Sequence, residues 1–138
     1  MQARVLILSN DVNELARLTT FIEKLRQEWN LSDKLAMTLN LILEELITNI
    51  IFYAYKPDAT QLIELSVKTD GNEIIITLKD EGKPFNPTKV PDPDYLHKDA
   101  EERQIGGMGI YLARKMVDDM QYKRIKNCNK LILKKKIE

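Results

Sequence analysis

The chain has 138 residues, 43% of them hydrophobic and 30% charged, which fits one globular domain, residues 1–138, with a sizeable core. Its 21 basic residues are balanced by 21 acidic ones. No global electrostatic field therefore favours a nucleic acid or an anionic membrane as a partner.

The single cysteine, Cys128, excludes an internal disulfide, and the N-terminal residues lack the basic and apolar segments of a secretory leader. We expect that no apolar run reaches membrane-spanning length, because four polar residues interrupt the longest one. These features predict a protein of the reducing cytoplasm.

Residues 4–8 are rich in Val, Leu and Ile, which is typical of a short strand. The polar residues that follow, Ser9-Asn10-Asp11, can cap a helix. Apolar residues then recur every three or four positions, which predicts an amphipathic helix packed on the next one. They are Val12, Leu15, Leu18, Ile22, Leu25 and Trp29.

The most apolar run, residues 39–52, predicts a second helix that is buried on nearly every side. Four polar residues interrupt it. Because residues four apart share a helix face, Glu45 and Asn49 project side by side, with Glu44 and Thr48 one step around. These side chains either touch water at one edge of the helix or reach a ligand.

The segments 61–69 and 73–80 flank Asp70-Gly71, which predicts a tight hairpin between two antiparallel strands. Apolar and polar residues alternate along the first strand, and in the second strand Ile74, Ile76 and Leu78 recur at every second position, so each strand has one core-facing side. The same alternation points Asp80 inward. A buried carboxylate is costly unless it is bound, so Asp80 is either hydrogen-bonded structurally or in contact with a ligand.

The periodic pattern is lost from residue 81 to residue 105, where four of the five prolines lie among charged residues. Loops of this length inside a domain are commonly functional lids or disordered insertions. Two flanking glycine motifs favour the first alternative. We refer to residues 83–105 as the lid.

Gly106, Gly107, Met108 and Gly109 stand where the lid meets a third predicted helix. Glycines let backbone N–H groups approach a ligand closely, and a helix N-terminus carries partial positive charge, so this junction favours a phosphate. A hinge or a tight packing turn is the alternative. The order of elements differs from both the P-loop and the dinucleotide fingerprint.

The last two predicted strands, 121–126 and 130–137, are joined by residues 127–129. Together the elements predict an α/β two-layer sandwich. Three helices cover one face of a mixed, mainly antiparallel sheet, whose strands lie near residues 4–8, 61–69, 73–80, 121–126 and 130–137.

Three segments resemble the sequence boxes of the GHKL ATPases, a superfamily that includes gyrase, histidine kinases and heat-shock chaperones. Residues 45–49 (Glu-Leu-Ile-Thr-Asn) resemble the N box, residues 80–85 (Asp-Glu-Gly-Lys-Pro-Phe) the first glycine box, and residues 106–110 (Gly-Gly-Met-Gly-Ile) the second. Within the superfamily, the short chain and these forms look most like the bacterial anti-sigma-factor serine/threonine kinases.

This resemblance implies that the chain binds ATP with Mg²⁺. Asp80 would accept a hydrogen bond from the adenine amino group, and Gly82 would let the backbone pass close to the base. Asn49 would contact the nucleotide through Mg²⁺, as the metal's protein ligand. The glycine cluster at residues 106–109 would offer backbone amides to the phosphates, and the lid would cover the site.

The resemblance also implies a general base. Glu45, one helical turn before Asn49, would remove the proton from a serine or threonine hydroxyl of a partner protein. Glu44 is its rival at a poorer spacing. Arg103 could reach a phosphate, although a solvated surface arginine is the alternative.

The chain departs from the family pattern at two places. Relatives often carry a histidine shortly after the N box, whereas the only histidine here, His97, lies in the lid and is expected to be a solvated loop residue. A late Gly-Thr pair that contacts the nucleotide in the family is replaced by Asn129-Lys130.

Two functions are consistent with these features. The first is an ATP-dependent kinase that phosphorylates an anti-sigma-factor antagonist and also holds a sigma factor or other regulatory protein. The second is a non-catalytic module whose binding of partners depends on ATP. Family members commonly dimerise, so the resemblance is also compatible with a homodimer.

Overall fold

The computed structural model describes residues 2–53, 60–91 and 107–137. Five strands and three α-helices account for most of this part of the chain. In chain order they are β1 (Ala3–Ser9), α1 (Leu15–Glu28), α2 (Asp33–Tyr53), β2 (Leu62–Asp70), β3 (Glu73–Asp80), α3 (Gly107–Met116), β4 (Asp119–Ile125) and β5 (Cys128–Lys136). Short 3-10 turns lie at Val12–Glu14 and Pro87–Lys89.

The strands form one sheet in the order β1-β2-β3-β5-β4. Each of the four neighbouring pairs is antiparallel. The predicted two-layer fold is confirmed, and the sheet that the sequence predicted to be mainly antiparallel is antiparallel across all the described pairs.

Alternating burial on the strands shows which face of the sheet the helices cover. On β3, Ile74, Ile76 and Leu78 are buried, whereas the residues between them are partly exposed. Asp80 continues the buried series, as its position in the alternation predicted. The end of β3 therefore places a carboxylate beneath the helical layer.

The two hairpins have different turn chemistry. Gly71 and Asn72 join β2 to β3, and Gly71 takes a φ of 61°. Lys126 and Asn127, with φ of 50° and 65°, join β4 to β5. Positive φ at both central residues is the pattern of a type I′ turn.

The predicted connection at residues 127–129 is wrong by two residues, because the turn is complete at Asn127 and β5 begins at Cys128. A chain that leaves a two-residue turn pairs at once with the preceding strand, here through Ile125 and Cys128. Asn129 consequently lies inside β5, opposite Asp80 of β3.

Helix α2 is the core element of the helical layer. Leu39, Ile42, Leu43, Leu46 and Ile47 are all nearly inaccessible to solvent. Such burial explains why this helix can be apolar on nearly all sides.

By length and composition alone, α2 is also long and apolar enough to cross a membrane. The expectation that no run reaches that length is therefore wrong. Half of the most apolar window is buried within the protein, and a core helix passes the same test as a membrane span. We interpret α2 as the core helix.

Candidate functional site

A cavity of about 380 Å³ lies between α2, the end of β3 and the described start of the lid. Most of its wall is apolar, with a few polar side chains, which is the usual composition of a small-molecule site. The lining residues include Leu46, Asn49, Ile50, Leu78, Asp80, Lys83, Phe85, Ile110, Tyr122 and Asn129.

Asp80 is 5% exposed and contributes a carboxylate to this cavity. Its Oδ1 accepts a hydrogen bond from the Gly82 backbone N–H at 2.9 Å and another from Asn129 Nδ2 at 3.0 Å. Its Oδ2 accepts none from the described part of the chain. One oxygen is thus fixed by the protein, and the other keeps its full capacity to accept a hydrogen bond from a ligand.

Asn49 lines the same cavity and is 8% exposed. Its side-chain amide makes no hydrogen bond with any residue in the described ranges. Because the side chain lines the cavity, its amide is available to a ligand that enters there. The amide oxygen is a suitable ligand for a hard cation such as Mg²⁺.

A cation at this position would need ligands beyond the protein. Within residues 2–53, 60–91 and 107–137, no group of three or more His, Cys, Asp or Glu side chains is placed to hold a metal. Mg²⁺ commonly keeps waters and phosphate oxygens as most of its ligands, so the single Asn49 oxygen fits a metal that arrives with a nucleotide.

The two neighbouring glutamates of α2 have different surroundings. Glu44 is exposed, and its Oε2 lies 3.5 Å from Asn40 Nδ2. Glu45 is partly buried and lies against the first turn of α3. A Cβ added at Gly109 would stand only 2.2 Å from Glu45 Oε2. Glycine at this position therefore leaves the space that the Glu45 carboxylate occupies.

The glycine-rich segment is described from residue 107 onward. Gly107 opens α3, Met108 is 41% exposed and Gly109 is buried against Glu45. The first four N–H groups of an α-helix have no partner within the helix, so this turn can donate to an anion. Gly106, Arg103, His97 and lid residues 92–105 lie outside the described residues.

Gly82 is buried directly after β3, and both its N–H and its carbonyl are hydrogen-bonded. Its N–H donates to Asp80, and its carbonyl accepts from Arg124 Nη1 at 2.8 Å. These contacts fold the chain back toward the carboxylate. Gly82 is thus placed close to the wall that Asp80 forms.

Sequence reasoning missed Asn129 as part of this site. The side chain is 6% exposed, lines the cavity and binds the Asp80 carboxylate. The sequence pattern places it in the turn at residues 127–129, and the resemblance marks it only as part of the pair that replaces a Gly-Thr. If β5 is taken to begin at Cys128, Asn129 lies on the same face as the buried Leu131 and Leu133, because residues two apart share a strand face.

The sequence is similar to known proteins over most of its length. Residues 8–135 match the family model described as the histidine kinase-like ATPase domain. A curated relative, the serine/threonine-protein kinase BtrW of Bordetella bronchiseptica, is 30% identical over 109 residues. The match covers 79% of this chain and 75% of the relative.

Solved structures show the same fold at low sequence identity. The RsbU and RsbW domains of Rv1364c from Mycobacterium tuberculosis match 99% of this chain with a TM-score of 0.70 and 11% identity. A blue-light activated histidine kinase of Erythrobacter litoralis matches 78%, with a TM-score of 0.56 and 13% identity. The chain spans about a third of each of these longer structures, at 33% and 32%.

The contact between Glu45 and Gly109 predicts a coupled pair of substitutions. In a Glu45→Ala background, Gly109→Ala should stabilise the protein by about 1 kcal/mol, because alanine is the better helix former. In the parent, the new Cβ meets the carboxylate, and we expect this gain to be lost. Chemical denaturation of all four proteins measures both effects, and an equal change in both backgrounds would contradict the contact.

Proposed function

The chain belongs to the histidine kinase-like ATPase family, and we propose that it is an ATP-dependent serine/threonine protein kinase. Its proposed substrate is a regulatory antagonist protein. When it is not phosphorylating that protein, it would sequester a sigma factor. Identity to a relative that is itself named a serine/threonine-protein kinase supports this choice. The observation that carries it is the position of Glu45.

Glu45 is suited to act as a general base because it lies between two parts of the proposed nucleotide site. It precedes Asn49 by one helical turn and contacts Gly109 in the first turn of α3. If the phosphates of ATP lie at that turn, the carboxylate is next to the γ-phosphate. Glu44, the rival candidate, is on the exposed side of the helix.

The proposed reaction is a direct phosphoryl transfer. Glu45 accepts the proton of a serine or threonine hydroxyl while that oxygen forms a bond to the γ-phosphorus. The bond between the γ-phosphorus and the β,γ-bridging oxygen breaks, and ADP leaves with that electron pair. The backbone N–H groups of Gly107, Met108 and Gly109 would hold the phosphates in place.

Asn49 and Asp80 would orient the nucleotide at its two ends. Asn49 would hold Mg²⁺, which neutralises phosphate charge when bound. Asp80 Oδ2 would accept a hydrogen bond from the adenine amino group, while Gly82 lets the base approach the backbone. The apolar wall formed by Leu46, Ile50 and Leu78 would contact the faces of the base.

Replacing Asp80 tests the nucleotide site itself. Asp80→Asn places an amide that can present a donor to the adenine amino group, and a lost or unpaired contact of this kind costs roughly 1–3 kcal/mol. We expect the affinity for Mg-ATP to fall about tenfold or more in titration calorimetry. Asp70→Asn, at the exposed hairpin, is the control. Equal affinity of Asp80→Asn and the parent for Mg-ATP would show that Asp80 does not contact the nucleotide.

Replacing Glu45 separates an enzyme from a binding module. Glu45→Gln keeps the size of the side chain and removes the proton acceptor, so ATP should still bind while transfer falls by roughly two to four orders of magnitude. Glu44→Gln is the matched control and should transfer normally. Asn49→Ala should instead weaken Mg-ATP binding and lower transfer as a consequence.

The assay uses labelled ATP with cell extract or a purified partner, with ATP affinity measured in parallel. Binding of ATP without transfer to any partner would favour the alternative function, a non-catalytic module gated by ATP. Normal transfer by Glu45→Gln would show that another group is the base, with Glu44 the next candidate.

A further inference from the structure

Asn129 joins three parts of the fold at the adenine end of the proposed site. Its Nδ2 donates to Asp80 Oδ1 at 3.0 Å and to the Lys83 carbonyl at 2.9 Å. Its Oδ1 accepts from the Tyr122 hydroxyl at 2.5 Å and from the Phe85 N–H at 3.3 Å. Two donors and two acceptor positions are all that a side-chain amide has, and all four are used.

The surroundings of Asn129 permit only one orientation of its amide. Nδ2 faces a carboxylate and a carbonyl, which can only accept hydrogen bonds. Oδ1 faces the Phe85 N–H, which can only donate. A reversed amide would place oxygen against oxygen and nitrogen against nitrogen. The Lys83 carbonyl and the Phe85 N–H, together with Asp80 itself, therefore keep the Nδ2 donor directed at Asp80.

This fixed donor determines how Asp80 meets a ligand. Asn129 and the Gly82 N–H both hold Oδ1, so the carboxylate cannot rotate without losing two hydrogen bonds in a buried site. Oδ2 is therefore presented at one position. A fixed acceptor there matches the amino group of adenine and opposes the carbonyl oxygen that guanine carries at the same ring position.

We infer that Asn129 is the positioning residue that sets the selectivity of this site for adenine over guanine nucleotides. The inference rests on the proposed binding of ATP. Asn129 acts through Asp80, and its bonds to Lys83 and Phe85 tie the start of the lid to the same carboxylate. Asn129 stands where the family pattern has a Gly-Thr pair, and it supports recognition of the base by holding Asp80 in place.

The test compares the affinities of non-hydrolysable ATP and GTP analogues for the parent, Asn129→Leu, Asn129→Ala and Tyr122→Phe. Asn129→Leu keeps about the volume of the side chain and Asn129→Ala shortens it, and both remove the donor to Asp80 without adding a charge beside that carboxylate. We expect their preference for the ATP analogue over the GTP analogue to fall about tenfold or more. Tyr122→Phe removes one bond to Asn129, and its preference should fall less, by about twofold to fivefold.

The ratio of the two affinities distinguishes positioning from general support of the fold. A variant that is only less stable loses affinity for both analogues by the same factor. Lys134→Ala is the control on β5, because its side chain lies on the sheet face away from the cavity. Thermal unfolding of each variant confirms that a folded protein is being measured.

Each outcome is decisive. A folded Asn129→Leu with the parent's ratio would overturn the inference while ATP binding stands. Should Asn129→Leu fail to fold, an unchanged ratio in a folded Asn129→Ala would overturn it equally. A parent without affinity for the ATP analogue would instead refute the proposed function, and the inference with it.

Discussion

The burial of α2 against the sheet is the constraint on which the rest of the structure depends. A helix this apolar must be covered on most of its surface, and the sheet and the other two helices provide that cover. Because the register of α2 is fixed by its buried leucines and isoleucines, its polar residues have fixed positions as well. Asn49 reaches the cavity, and Glu45 reaches α3.

Buried polar groups at the end of β3 make the cavity a specific site. Asp80 and Asn129 satisfy each other across neighbouring strands, yet Asp80 Oδ2 and the Asn49 amide have no partner among the described residues. Both residues line the cavity, so a ligand that enters it can bind these groups. The protein thus holds one set of polar atoms rigid and keeps another available.

Sequence periodicity was sufficient for the fold, because strands and helices with one buried face carry that face in their spacing. The same alternation placed Asp80 inward. It failed at Asn129, because Lys126 and Asn127 form a turn with positive φ without the glycine that usually signals one. A strand start misplaced by two residues left this side chain without a predicted direction. The close approach of Glu45 to Gly109 depends on helix packing, which spacing along one helix does not determine.

The central claim is that ATP binds in the cavity with its base at Asp80 and its phosphates at the start of α3. A crystal structure with Mg²⁺ and a non-hydrolysable ATP analogue tests it most directly. We predict the adenine amino nitrogen about 3 Å from Asp80 Oδ2 and phosphate oxygens against the N–H groups of Gly107–Gly109. A nucleotide bound elsewhere, with Asp80 Oδ2 making no contact to the base, would contradict the account.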